Sequence, residues 1–177
     1  MEFERLIEER RSVRAYQEEL PEHEALVKIA EQAQMAPSWK NGQPARTYVI
    51  EGAQKLALVR EKALPSFNQN SSKNAALIVT TFVKDLSGFS NGQPDNELGN
   101  LWGAYDLGLH DAYLVLAAKN AGYDTLIMGI RSAQELRSLL QIPENEEIVS
   151  VIAIGKSAKE PALRPRKTLE EVACFIR

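Results

Sequence analysis

Residues 75–83 read Ala-Ala-Leu-Ile-Val-Thr-Thr-Phe-Val. A strand with one wet face alternates polar and apolar residues, and this run does not, so it predicts a strand covered on both faces. A covered sheet needs helices on either side, and the remaining sequence supplies them. Leu26, Ile29, Ala30 and Ala33 make one apolar face behind a helix start at Pro21-Glu22, and Pro37 stops that helix. Residues 46–51 read as a strand closed by Gly52, with a helix over 53–64 after it. Residues 102–120 carry Leu107, Leu109, Tyr113, Leu114, Leu116 and Ala117 with few charges, which predicts a central helix ended by Gly122. Strands over 125–127 and 148–154 flank a helix that Ser132 caps, with Gln134 and Glu135 in its first turn. Helices and strands alternate, so a layered α/β/α domain is expected.

The length of 177 residues fits a single domain spanning 1–177. Any chemistry therefore sits inside one fold or between two copies of it. A formal net charge of -3 gives no bulk attraction to nucleic acid or anionic lipid, so local basic clusters are read as sites. The longest apolar stretches, 75–83 and 148–154, are too short to cross a bilayer, and the N-terminus opens with charges instead of a signal-type apolar run. Neither a nucleic-acid nor a membrane partner is expected, and the expected compartment is the cytoplasm. A lone cysteine, Cys174, excludes an internal disulfide framework and any cysteine-rich metal centre, so no metal is expected.

Three groups stand out for chemistry. Arg10, Arg11, Ser12 and Arg14 follow the first helix, whose stripe of Phe3, Leu6 and Ile7 runs into Arg10 and predicts that Arg10 points inward. Guanidiniums offer fixed donors and keep their charge, which suits a phosphate. The alternative is a solvated basic face paired to Glu4, Glu8 and Glu9. Residues 36–44, Ala-Pro-Ser-Trp-Lys-Asn-Gly-Gln-Pro, present Asn41 and Gln43, whose amides place a donor beside an acceptor, as the imide edge of a flavin or a similar heterocycle requires. A plain loop would look the same. The third group is Arg164-Pro165-Arg166-Lys167, in a proline-stiffened tail. Extended backbone puts Arg164 and Arg166 on one side; the alternative is a solvated tail. Residues 84–100 turn to Gly, Ser, Asn, Asp and Pro and are expected to be a variable loop, mobile enough for a lid or substrate mouth. Asn91-Gly92-Gln93-Pro94 repeats Asn41-Gly42-Gln43-Pro44, and the second copy reads as turn chemistry.

The order Arg-Arg-Ser-x-Arg at 10–14, Ala-Pro-Ser-x-x-Asn-x-Gln-Pro at 36–44, and Arg-x-Arg at 164–166 before Leu169-Glu170-Glu171-Val172 resembles the nitroreductase family. Asp106-Leu107-Gly108 through Asn120-Ala121-Gly122-Tyr123 is similar to that family's central dimer helix and the turn after it. The resemblance spans nearly the whole chain. It implies an α+β fold, a three-layer α/β/α sandwich of which two copies interlock as a homodimer holding FMN at each of two interface sites. Arg10, Arg11, Ser12 and Arg14, helped by Arg164 and Arg166, would hold the phosphate and ribityl end. Pro37, Ser38, Trp39, Asn41 and Gln43 would reach the flavin bound mainly by the other subunit. Gly129, preceded by Met128, matches the family's backbone donor beside the reactive ring nitrogen, where a glycine lets the main chain come close. Asn68 would reach the pyrimidine edge. Residues 156–177 would form a C-terminal extension.

The chain departs from the family at Ala45 and Arg46, where Trp and a large apolar residue are usual after Gln-Pro, and at Met128, where an acidic residue is frequent. The implied activity is an FMN-dependent NAD(P)H oxidoreductase, in which NADH or NADPH reduces FMN and a nitroaromatic, quinone or similar small molecule takes the electrons in a second half-reaction. No catalytic acid or base is then required, because the cofactor carries the chemistry. His110 reads as a packed or solvated residue instead of a proton donor. Trp102, Tyr105 and Phe89 suit core packing better than stacking on an acceptor. Other classes considered are a flavin-binding sensor or carrier without turnover, and a nucleic-acid module, which the acidic total disfavours.

Overall fold

A computed structural model describes residues 2–159 and 161–177; Met1 and Glu160, which fall within the expected domain and C-terminal extension, lie outside the described residues. In chain order the elements are α1 (Phe3–Glu9), α2 (His23–Ala33), β1 (Ala45–Ile50), α3 (Ala53–Ala63), α4 (Ser66–Ser71), β2 (Ala76–Val83), β3 (Phe89–Ser90), β4 (Gln93–Pro94), α5 (Leu101–Asn120), β5 (Asp124–Met128), α6 (Ala133–Leu140), β6 (Glu146–Gly155) and α7 (Leu169–Val172). A single 3-10 turn, Trp39–Asn41, precedes β1.

The apolar run becomes β2, buried along all but its last residue and placed inside a sheet of order β1-β2-β6-β5. Successive strand residues face opposite ways. Leu77, Val79, Val151, Ala153 and Leu126 meet Leu56 and Val59 of α3 and Leu136 of α6. Ala76, Ile78, Ile152 and Ile154 meet Leu26 and Ile29 of α2 and Leu114 and Ala118 of α5. Helices thus cover both faces, which explains the missing polar alternation. Every strand pair in this sheet is antiparallel.

The central helix fits tightly. A Cβ on Gly103 would lie 2.4 Å from Phe82 Cδ2, so this glycine lets α5 settle on β2. Two of the polar residues that α5 buries form a small network with the sheet: Thr80 Oγ1 donates to Asp111 Oδ2 at 3.0 Å, and His110 Nδ1 of the same helix lies 3.2 Å from Asp111 Oδ1. The packed role expected of His110 is what the structure shows. Gly122, at φ 86°, ends the helix, and Ser132 Oγ accepts the Glu135 N–H to cap α6.

Two expectations are corrected. Helix α1 stops at Glu9, and Arg10 takes extended dihedrals (φ -60°, ψ 127°). Arg10 therefore lies past the helical face that was expected to carry it, and extended backbone holds it half-buried instead. Residues 84–100 hold a small hairpin where a plain loop was expected. Its turn residues Asn91 and Gly92 have φ of 52° and 74°, both positive as a type I′ turn demands. The turn reading of the second Asn-Gly-Gln-Pro is thus correct, and reciprocal bonds between Asp85 and Asn100 close the segment.

Candidate cofactor site

The N-terminal arginine segment runs beside β5. The Val13 N–H donates to the Thr125 carbonyl at 3.0 Å and Val13 is buried, so alternation turns Ser12 and Arg14 outward together. Three residues on, the chain pairs with the start of the tail: the Gln17 N–H donates to the Lys156 carbonyl and the Ala158 N–H to the Ala15 carbonyl. Tyr16 packs so closely there that a Cβ on Gly155 would sit 3.0 Å from its ring. This pairing leads the tail back past Arg10. A cavity of about 250 Å³ results, lined by Arg10, Arg11, Ser12, Arg14, Arg164 and Arg166 together with Pro161, Ala162 and Leu163. All six polar residues expected at the phosphate end are brought together.

Burial, and then the neighbouring charges of Arg166 and Arg11, push the Arg10 guanidinium below its ordinary pKa. Arg11 is partly engaged, since its Nη1 donates to the carbonyls of Arg10 and Glu8 at the end of α1. Among the described residues none of the five arginines is ion-paired to a carboxylate. Clustered guanidiniums of this kind are complementary to a phosphate monoester, so the residues fit the phosphate end of FMN.

The second group lies elsewhere on the protomer. Pro37, Ser38 and Gln43 line a separate cavity of about 390 Å³, together with Arg46, Thr47, Asp106 and His110. Trp39 packs against Trp102 with ring centroids 4.8 Å apart, and Trp102 meets Tyr105 at 5.6 Å. Asn41 is exposed at a φ of 55°. Within one chain this group does not join the arginine cavity.

The third cluster surrounds Gly129, which is exposed just after β5. Asn68, on α4, donates from Nδ2 to the Ile130 carbonyl at 2.9 Å and so stands beside that turn. The Met128 side chain is buried in the core with Leu126 and Leu136. Sequence reasoning gave no role of its own to Asp106, which accepts the Trp39 N–H at 2.9 Å, or to Lys40, which donates to Ser90 and Asp95. Among the described residues no group of three His, Cys, Asp or Glu side chains is placed to hold a metal, and no helix is long and apolar enough to cross a membrane.

An antiparallel sheet between helices, with a guanidinium cradle built from both chain ends, defines an α+β protein suited to an anionic ligand. Comparison with known proteins narrows this. The profile of the nitroreductase family matches residues 7–112 and 89–156. The FMN reductase [NAD(P)H] of Bacillus subtilis is 30% identical over 173 residues, covering 92% of this chain and 68% of the relative. A nitroreductase family protein of Streptococcus pneumoniae superposes with a TM-score of 0.85 at 21% identity, over 99% of this chain and 100% of the other. A nitroreductase-type protein of Exiguobacterium sibiricum, solved in complex with FMN, superposes at 0.82 with 22% identity, over 99% and 98%. The chain belongs to the nitroreductase family.

Proposed function

We propose that the protein is a cytoplasmic, FMN-dependent NAD(P)H oxidoreductase working as an interlocked homodimer of three-layer α/β/α subunits. Each subunit is one FMN-binding domain, with 84–100 as its variable segment and 156–177 as a C-terminal extension. FMN bound there would supply the hydride-transfer chemistry by which NADH or NADPH reduces a nitroaromatic, quinone or similar acceptor in two separate half-reactions. The observation that carries this reading is the cavity in which Arg10, Arg14, Arg164 and Arg166 meet.

Arg10, Arg11, Ser12, Arg14, Arg164 and Arg166 bind the phosphate end. The Gly129 main chain and Asn68 face the ring, with Met128 contributing backbone alone. Pro37, Ser38, Trp39, Asn41 and Gln43 serve the flavin of the opposite subunit, which accounts for two clusters that stay apart within one chain. Helix α5 supports the pairing of subunits. Leu101, Tyr105, Gly108, Ala112 and Tyr113 form an exposed, largely apolar face on a helix otherwise given to the core. Contiguous apolar faces of this kind mark interfaces.

The visible absorption spectrum of the purified protein tests the proposal. Flavin bands that bleach on adding NADH or NADPH and return on adding a quinone are expected. A colourless protein that takes up no added FMN overturns the reading. Bound flavin that never bleaches would mark a binding protein without turnover.

A further inference from the structure

The loop that carries Asn41 and Gln43 holds a conformation its residues disfavour. Lys40, Asn41 and Gln43 have φ of 49°, 55° and 48°. In that left-handed region Cβ crowds the following carbonyl; asparagine tolerates this, lysine and glutamine less so. The tetrapeptide repeat makes the point within one molecule. At 91–94 the same letters form an ordinary hairpin turn with a positive φ at the glycine, whereas at 41–44 Gly42 is right-handed (φ -69°) and Gln43 is the left-handed residue. Local sequence therefore does not dictate the loop. Such conformations persist where the surroundings over-determine them, and they cluster at ligand clamps.

Several groups do the determining. Inside the loop the Gln43 N–H donates to Ser38 Oγ at 2.9 Å, and the Asn41 and Gly42 N–H groups donate to the Ser38 and Trp39 carbonyls. From outside, Arg46 donates to the Gln43 carbonyl, Lys40 to Ser90 and Asp95, and Trp39 packs on Trp102. At the start of the turn Asp106 Oδ2 accepts the Trp39 N–H at 2.9 Å. Asp106 rises from α5, whose Leu114 and Ala118 lie in the core, and is only 4% exposed. Among the described residues it has no ion-pair partner, and it accepts the Trp39 N–H. Burying a carboxylate is costly unless its charge is used, and a charge-assisted bond to a main-chain N–H uses it.

We infer that Asp106 is the positioning residue of the cofactor loop: acting through the Trp39 N–H, it fixes the start of the left-handed turn and so presents the Asn41 and Gln43 amides before any ligand arrives. The inference rests on the reading that this loop serves the flavin. Preorganisation lowers the ordering cost at binding, so its loss appears as weaker binding and a looser loop, not as a loss of the fold.

The test compares Asp106→Leu, which keeps the branching at Cγ and removes the acceptor, with Asp106→Asn, which retains an acceptor oxygen. Amide hydrogen exchange is read on the full chain without ligand, and FMN affinity by flavin fluorescence quenching. In Asp106→Leu the amides of residues 39–43 are expected to lose protection and FMN Kd to rise about tenfold or more, as the loss of a bond to a charged group implies, while exchange in β2 and β6 is unchanged. Asp106→Asn is expected to stay within about threefold of the unaltered protein, since it restores the acceptor without the charge. Unchanged loop protection in Asp106→Leu, or an Asp106→Asn as impaired as Asp106→Leu, overturns the inference. If the unaltered protein binds no FMN the flavin reading falls, and the exchange comparison still decides the role of Asp106. Should Asp106→Leu fail to fold, Asp106→Ser, whose hydroxyl is too short to reach the Trp39 N–H, is judged by the same criteria.

Discussion

Asn68 donates from its side-chain amide to the Ile130 carbonyl at 2.9 Å, and this single bond ties α4 to the turn that exposes Gly129. Helix α4 is a short polar segment that no hydrophobic stripe would hold in place. Asn68 is buried, so removing its amide leaves the Ile130 carbonyl unpaired. Asn68→Ala is expected to lower stability by about 1–2 kcal/mol. Urea unfolding checks this, and a midpoint unchanged at constant slope would contradict it.

Gly103 tests how closely α5 lies on the sheet. The methyl added in Gly103→Ala would fall 2.4 Å from Phe82 Cδ2 and 2.7 Å from Cε2, inside a packed core. A loss of roughly 1–3 kcal/mol is expected from overpacking, measured by denaturant unfolding. A variant as stable as its parent would mean that Phe82 moves freely.

Gly108 tests the pairing of subunits. It sits on the exposed face of α5, and an added Cβ meets nothing within 4 Å. Gly108→Trp is therefore tolerated by the isolated protomer but blocks a second copy against this face. Analytical ultracentrifugation is expected to show a folded monomer that has lost its flavin. A yellow monomer would contradict the assignment of flavin donors to both subunits.

Asp95 gives a pH dependence. The Ser90 hydroxyl first, and then Lys40, hold its carboxyl below the ordinary range, against an opposing effect of burial. A depressed folded pKa means that the tie between Lys40 and the hairpin is complete above the unfolded value, about 3.9, and is lost as pH falls through the folded value. Fluorescence from the packed Trp39 and Trp102 is expected to change in acid before far-ultraviolet dichroism does. Asp95→Asn should abolish that early step, and its persistence in the variant would rule the tie out.

The sequence shows the framework well because the framework is written in periodicities. The unbroken apolar run became β2, the charge-poor stretch became α5, and Ser132 caps α6 where expected. Local pattern fails where structure is set by distant pairing. Helix α4, Ser-Phe-Asn-Gln-Asn-Ser, has no apolar period and is held by bonds such as that to Ile130. The course of Arg10 follows from the pairing of Val13 with Thr125 and of Gln17 with Lys156, which no window of sequence contains. Both arginine groups were visible as motifs, yet their meeting is a product of the fold. Asp106 was legible only as part of the central-helix motif, because a carboxylate in a helix carries no local sign of the N–H it will accept.

In the proposed function guanidiniums from both ends of the chain hold the FMN phosphate, so the most direct measurement compares FMN with riboflavin, which lacks only that phosphate. Fluorescence quenching titrations of the unaltered protein, Arg10→Ala and Arg166→Ala give the six affinities needed. The unaltered protein is expected to prefer FMN strongly, and each substitution to cost FMN about 1.5–3 kcal/mol while leaving riboflavin almost unchanged. Equal affinity for the two flavins in the unaltered protein, or full discrimination retained in both variants, would contradict it.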